Sequence, residues 1–436
     1  MPSKAYIGGA PNVCSVEGVE ILAAGAYPAD MPPENLASDD PGEVARILSV
    51  DPAETMWTFG LAAQEGGGND WPVDFFALVN HNLTSAATFK VAGKLYASLG
   101  DAMQFERLYP SAISGSGVTG TVSRLTDSPF APDDTAVTVS GVSSYLHATM
   151  QDPSAGLFNG TANGQAFYLR AKASTAGYTV TVQLYSAGSL VGTLGAVVAT
   201  TDYQVFGFVW PGVISSPNDV EVRIVWGQAA ATLSVDSLVW VAEVDNVGHD
   251  FDSGWLPVPS AAADSQFGGT SAADVALEPQ RSLEVLIPGG LSLQRLAVAI
   301  RDPNNPDGFV QAGVAVAGPA FRTEYAPALG DFLGVEDLST GGETIGGADF
   351  GSAGRRRRVL PVTFGALTRA ELLGLLERID WRKGARGAVW VSLCPEETDA
   401  SARLAAAWCN VGPLERARAT AIPGRFSKSY TFLEKL

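Results

Sequence analysis

The stretch Trp71 to Gly93 constrains the rest of the chain more than any other. Phe75 to Val79 is almost wholly apolar, the pattern of a strand buried on both faces, and Thr88 to Val91 alternates as a half-buried strand does. Between them Asn80, His81, Asn82, Thr84 and Ser85 carry short polar side chains that bond to nearby backbone and favour a turn. A strand pair this short cannot stand alone. The best continuation lies some 200 residues on, where Ser282 to Ile287, Arg295 to Arg301 and Phe309 to Val316 read as further strands. The expected result is a discontinuous β-sandwich built from 44–124 and 245–324, with Val44 to Val50 and Met56 to Ala62 as additional strands. Residues 1–43, rich in Ala, Gly and Pro, read as an extended N-terminal arm.

Inside the interruption, 125–244 forms a run of short alternating segments. Phe167, Leu169 and Ala171 alternate with Tyr168, Arg170 and Lys172, and Val180, Val182 and Leu184 alternate with Thr181, Gln183 and Tyr185. Val220, Val222, Ile224 and Trp226 repeat the pattern, and Tyr203 to Trp210 and Leu233 to Val241 complete it. Strands at this spacing with no helical period imply an antiparallel sandwich, here an inserted one. After residue 325 the chain changes character. A strand from Arg355 to Phe364 leads into a helix start at Leu367, where Thr368 and Glu371 form a capping box and Leu367 and Leu372 a hydrophobic staple. Strands at Ala388 to Leu393, Ala402 to Val411 and Ser427 to Leu433 follow. A small sheet carrying one helix is expected over 325–436. The fold class is therefore mainly β: an antiparallel sandwich, an inserted jelly roll, and a C-terminal sheet-plus-helix unit.

Composition narrows the function. A net charge of −18 disfavours nucleic acid and anionic membrane surfaces as partners. No stretch approaches the ~20 apolar residues of a membrane span, so no membrane insertion is expected. The three cysteines, Cys14, Cys394 and Cys409, show neither a disulfide framework nor zinc spacing. No cofactor or metal is expected, because His81, His147 and His249 lie far apart in sequence without ligand partners at metal spacing. His81 reads as a hinge histidine bonded to backbone. The run Asp302 to Gly308 departs from calcium-loop spacing and reads as a turn. From Arg355 onward there are 15 basic and 8 acidic residues, so negative charge concentrates upstream.

Three resemblances enter on particular residues. Ala166 to Val241, with Phe167 to Ala173 as one strand and Leu233 to Trp240 as the closing one, resembles the jelly-roll carbohydrate-binding modules attached to glycan-active enzymes and virion proteins. Leu78-Val79-Asn80-His81-Asn82-Leu83, with the later Phe309-Val310-Gln311-Ala312-Gly313, resembles the discoidin-like or galactose-binding-like scaffold of phage tail proteins. The strand, helix, strand order after Arg355 is similar to the ring-forming domains of phage tail tube and distal tail proteins. Together these imply a structural, non-enzymatic minor tail protein of a tail tip or baseplate, assembled in the host cytoplasm. It would form a ring with itself, contact tube, hub and fibre proteins, and present its module to a host surface glycan.

A sugar offers an apolar ring face and a hydroxylated rim, so the binding candidates are tyrosines on the polar phase of strands with polar neighbours. These are Tyr168, Arg170, Gln183, Tyr185 and Arg223. Trp226 falls on the apolar phase and reads as core. Arg355, Arg356, Arg357 and Arg358 read as an ion-paired subunit interface. The competing expectations are a carbohydrate-active depolymerase, which needs a carboxylate pair, and a free adhesin.

Overall fold

The computed structural model describes residues 6–17, 19–61, 70–84, 86–95, 104–130, 133, 135–153, 164–214, 216–244, 249–258, 282–325, 334–343, 349–352, 356–393, 395 and 406–435. The structure is mainly β, with antiparallel sheets. Trp71–Val79 lies at the centre of a three-stranded sheet, antiparallel to Ser282–Leu293 on one side and Val314–Gly318 on the other. Its two side-chain phases enter different cores. Phe76 and Leu78 face a six-stranded sheet built on Thr88–Lys94, Arg295–Arg301 and Met56–Gly60, and pack with Trp57, Phe59, Phe89 and Ile300. Phe75, Ala77 and Val79 face the opposite way, onto Tyr6, Trp390 and Trp408 of the C-terminal sheet. An apolar run without alternation is what burial on both faces demands.

The polar hinge after Val79 behaves as its residue types require. Asn80 adopts φ 56°, a left-handed conformation that Asn tolerates, and its Nδ2 donates to the Pro41 carbonyl at 2.7 Å. The Leu83 N–H donates to His81 Nδ1 at 3.3 Å. Asp302 is buried and accepts from Thr84 N at 2.8 Å, Thr84 Oγ1 at 2.6 Å and Asn305 Nδ2 at 3.0 Å. Its carboxylate is therefore spent on holding the turn against the hinge.

The C-terminal sheet runs in the order Phe321–Arg322, Tyr6–Gly8, Ala388–Ser392, Ala406–Val411, Phe426–Glu434, Arg356–Leu367 and Gly334–Asp337, with Arg418–Ala419 attached to Phe426–Glu434. The expected N-terminal arm is thus not free. Tyr6–Gly8 is an interior strand of this sheet, while Val13, Cys14, Ile21 and Leu36 are buried in the first sandwich. Gly8 permits the approach, since a Cβ there would sit 2.1 Å from the Phe75 ring. The helix Arg369–Leu375 starts at the Thr368 and Glu371 capping box and continues as a π-turn through Trp381. Glu284 joins the layers. Its carboxylate accepts from Tyr6 Oη, Trp390 Nε1 and Ser392 Oγ, each at 2.9 Å, and burial pushes its pKa up.

The second sandwich pairs a six-stranded sheet with a five-stranded one. The first contains Gln204–Trp210, Gln165–Ala173, Thr232–Val244, Val137–Ser140 and Val118–Thr119, with Gln104–Leu108 added to the far end of Thr232–Val244. The second runs Ser189–Ala199, Tyr178–Ser186, Val220–Val225, Tyr145–Met150, Pro110–Ser116. Its strands therefore begin at Gln104, upstream of residue 125. Phe167 and Trp240 stack at 5.7 Å in the core between the sheets, and Trp226 is buried there with its Nε1 on the Ala231 carbonyl.

The two sandwiches are joined by a packed junction. Ala166, Tyr168, Val239 and Val241 on the outside of the six-stranded sheet form a core with Ala53 and Phe105. Arg301 lies 3.6 Å over the Trp255 ring and donates to the Gly164 carbonyl at 2.7 Å. Lys90, fully buried, bonds both Glu243 and Asp252.

Candidate functional site

The open face of the second sandwich is the outer surface of its five-stranded sheet. Strand register fixes what stands there. Gln183 is opposite Arg223, Arg223 is opposite His147, and His147 is opposite Ser114, giving one row across four strands. The next row places Tyr185, Glu221 and Thr149 together. Their inward neighbours Val182, Leu184, Val222, Ile224, Leu146 and Ala148 fill the core, so the alternation that builds the sandwich also projects the polar set.

Arg223 is the centre of this face. Its guanidinium lies 4.3 Å from the Tyr185 ring centroid and 4.8 Å from that of Tyr145, and its Nη1 donates to Tyr185 Oη at 2.9 Å. Flat guanidinium and aromatic faces attract, and each fixes the other's orientation. Tyr185 Oη in turn reaches Gln183 Oε1 at 3.5 Å. His147 Nε2 lies 3.0 Å from Glu221 Oε2, and the imidazole sits 6.0 Å from the Tyr185 ring. All six side chains are half-buried. The result is a polar surface with two aromatic rings and fixed donors and acceptors around them.

Of the five sugar-contacting residues expected from the sequence, three come together here: Gln183, Tyr185 and Arg223. The other two stand on the opposite sheet. Tyr168 is buried at 2% exposure, because the first sandwich covers that end of the sheet. Its ring meets Phe130 at 5.5 Å and packs beside Gly207, and burial pushes its phenol up to about 12. It has no free face to offer a sugar. Arg170 pairs with the fully buried Asp236 at 2.5 Å and covers Tyr203 at 4.2 Å, which makes it part of the sheet's own ion pair. Tyr145, His147 and Glu221 were missed. The alternation of Tyr145, His147 and Thr149 with Leu146, Ala148 and Met150 was the available signal, and it lies upstream of the segment that carried the resemblance.

The arginine run is also corrected. Arg355 lies outside the described residues. Arg358 is buried and bonded to Glu434 at 2.7 Å and to the Ala406 carbonyl at 2.9 Å, so it is a core ion pair. Arg357 pairs with Glu336 at 2.6 Å and Arg356 approaches Asp337 at 3.5 Å, both on the neighbouring strand of the same chain. Their charge is answered within the chain. Arg358 lies on the inward phase of its strand with Leu360, Val362 and Phe364, whereas Arg356, on the same phase at the strand's start, is exposed.

One group has the composition of a metal site: Glu243, His249 and Asp252, with ligand atoms within 4.8 Å of one another. The Lys90 ammonium already bonds both carboxylates. The chain thus supplies its own cation to these two carboxylates. Among the described residues no helix is long and apolar enough to cross a membrane.

No protein-family model matches this chain, and no curated protein matches it. Among solved structures it is similar to a family 6 carbohydrate-binding module from Clostridium cellulolyticum in complex with xylose, at 17% identity over 31% of this chain and 95% of that one, TM-score 0.22. A family 29 carbohydrate-binding module from Piromyces equi is 14% identical over 36% of this chain and 91% of that one, TM-score 0.20. A family two carbohydrate esterase from Cellvibrio japonicus is 10% identical, TM-score 0.20, and the match spans 36% of each chain. Scores this low carry no weight for function, and the sandwich assignment stands on strand pairing and register.

Proposed function

We propose that the protein binds a glycan through the outer face of the five-stranded sheet and is not itself an enzyme. The observation that carries this reading is the Tyr145, Arg223 and Tyr185 group, with Gln183, His147 and Glu221 around it. A pyranose ring stacks its C–H face on a flat aromatic and presents hydroxyls that need both donors and acceptors. The face supplies both, and it is held by a rigid sheet. Calorimetric titration with oligosaccharides released from bacterial surface glycans tests the reading. Binding that is lost in Tyr145→Ala/Tyr185→Ala supports it; binding unchanged in that variant refutes it. Release of reducing sugar in the same mixtures would favour a depolymerase.

The finer reading is a structural component of a phage tail tip or baseplate, in which several copies form a ring and carry the sandwich toward the host surface. Repetition of weak sites on one ring raises effective concentration, so single contacts need not be tight. The C-terminal unit favours assembly: Trp381 is 85% exposed, with Leu373 at 55% and Ile422 at 60% on the same unit. An exposed Trp such as Trp381 is a natural anchor for a subunit contact, since aromatic residues are enriched at interface cores. Electron microscopy of the purified protein checks it. Closed rings that dissociate in Trp381→Ser support the reading, and a monomer at all concentrations opposes it.

A further inference from the structure

We propose that the ligand of this face carries a carboxylate, as a uronic or other acidic sugar does, and that Arg223 receives it. The inference rests on the glycan-binding reading and narrows it. Arg223 donates to one protein acceptor, Tyr185 Oη, and forms no ion pair among the described residues. The carboxylate nearest in register, Glu221, is engaged by His147 at 3.0 Å. Several arginines are paired with carboxylates, Arg107 with Asp51, Arg170 with Asp236, Arg357 with Glu336 and Arg358 with Glu434, while Arg46 lies over Phe309 and donates to Gln311. The contrast with Arg170 is direct. Both lie on outward strand phases beside a tyrosine ring, yet one has a carboxylate and the other has only phenyl faces and a phenol.

Arg223 is half-buried on the open face and meets no carboxylate among the described residues, so its charge is available to a ligand. Two tyrosine rings flank it, and among the described residues Nη2 donates to no protein acceptor. A carboxylate on a bound sugar meets this geometry, because a planar guanidinium binds carboxylate through parallel N–H donors more strongly than it binds a hydroxyl. The phenol acceptor bond fixes Nη1, leaving the outer end of the fork for the ligand. Charge-assisted hydrogen bonds of this kind exceed neutral ones by enough to give about tenfold selectivity or more.

The test compares acidic oligosaccharides with their carboxyl-reduced counterparts, using galacturonate oligomers, glucuronate-bearing oligomers and a sialylated oligosaccharide, on the full chain. The expected result is binding of at least one acidic ligand about tenfold tighter than its reduced form, with that preference falling as salt rises. Arg223→Met is expected to bind the two forms alike, while Arg223→Lys retains part of the preference. The salt dependence and the reduced ligands need no variant, so a poorly folding substitution does not remove the test. Equal affinity for acidic and reduced forms overturns the inference and leaves glycan binding standing. Binding of neither form, in any of the panel, overturns both.

Discussion

On the six-stranded sheet of the second sandwich, Tyr168 and Arg170 stand two residues apart on the outward phase of one strand. On the five-stranded sheet, Tyr185 and Arg223 stand on neighbouring strands, also outward. In sequence the two pairs look alike, with apolar and polar residues alternating around each. In the structure the first pair is closed in by Ala53, Phe105 and Phe130 and by the carboxylate of Asp236, and the second is open, its one nearby carboxylate, Glu221, engaged by His147 rather than by Arg223. Alternation decides which sheet face a side chain takes. What covers that face is decided by the rest of the chain, here by a scaffold whose strands lie on both sides of the insertion.

The comparison can be broken by substitution, and the largest effect should come from the covered tyrosine. Tyr168→Ala removes a ring packed between the two sandwiches and is expected to cost about 4 kcal/mol, the range for deleting a large core aromatic. That is a sizeable part of a typical domain's stability, and chemical denaturation measures it. A loss below about 1 kcal/mol would mean that the junction is not packed as described. Arg170→Ala should follow at about 3 kcal/mol, because Asp236 is wholly buried and loses a charge partner. Asp236→Asn in the same chain should recover part of that loss, and a double-mutant cycle reads the coupling.

A smaller effect is expected in alkali. Burial raises the Tyr168 phenol from 10.0 to about 12, so the folded state resists ionisation more than the unfolded chain does. The stabilisation from this group is complete below pH 10 and is lost as pH rises through the folded value near 12. At 1.36 kcal/mol per unit the loss across that window is roughly 2 kcal/mol. Tyr168→Phe should flatten the fall of stability between these pH values, followed by denaturant midpoints across the series. An unchanged slope would place the phenol in water.

Much of the architecture was legible because strand period and turn chemistry are local. The apolar run Phe75 to Val79, the Thr368 and Glu371 cap and the inward phases of the second sandwich all follow from neighbouring residues alone. What could not be read was contact between distant segments. Tyr6–Gly8 looks like part of a loose arm, because nothing near it announces that Ala388–Ser392 and Phe321–Arg322 will pair with it. The arginine run shows the same limit: alternation places Arg358 inward, but only Glu434, 76 residues away, makes its burial tolerable. At the binding face the alternation around Tyr185 and Arg223 was readable. The convergence of Tyr145 and His147 on them depended on a pairing with Val220–Val225 that no local pattern reveals.

The smallest expected effect on folding belongs to the open face, and it separates the two regions most clearly. Tyr145→Ala/Tyr185→Ala removes two half-buried rings and one hydrogen bond to Arg223, while leaving the inward residues Leu146, Leu184 and Ile224 in place. Solvent can occupy the vacated surface, so each ring should cost about 1 kcal/mol or less, against about 4 for Tyr168→Ala. Binding should respond in the opposite order. If the open face recognises a sugar, losing both rings should weaken affinity by at least about tenfold, since stacking and the fixed orientation of Arg223 disappear together. Tyr168→Phe, made at the covered face, should leave affinity unchanged. A protein in which the open-face variant unfolds and Tyr168→Phe loses binding would reverse the assignment of the two sheets.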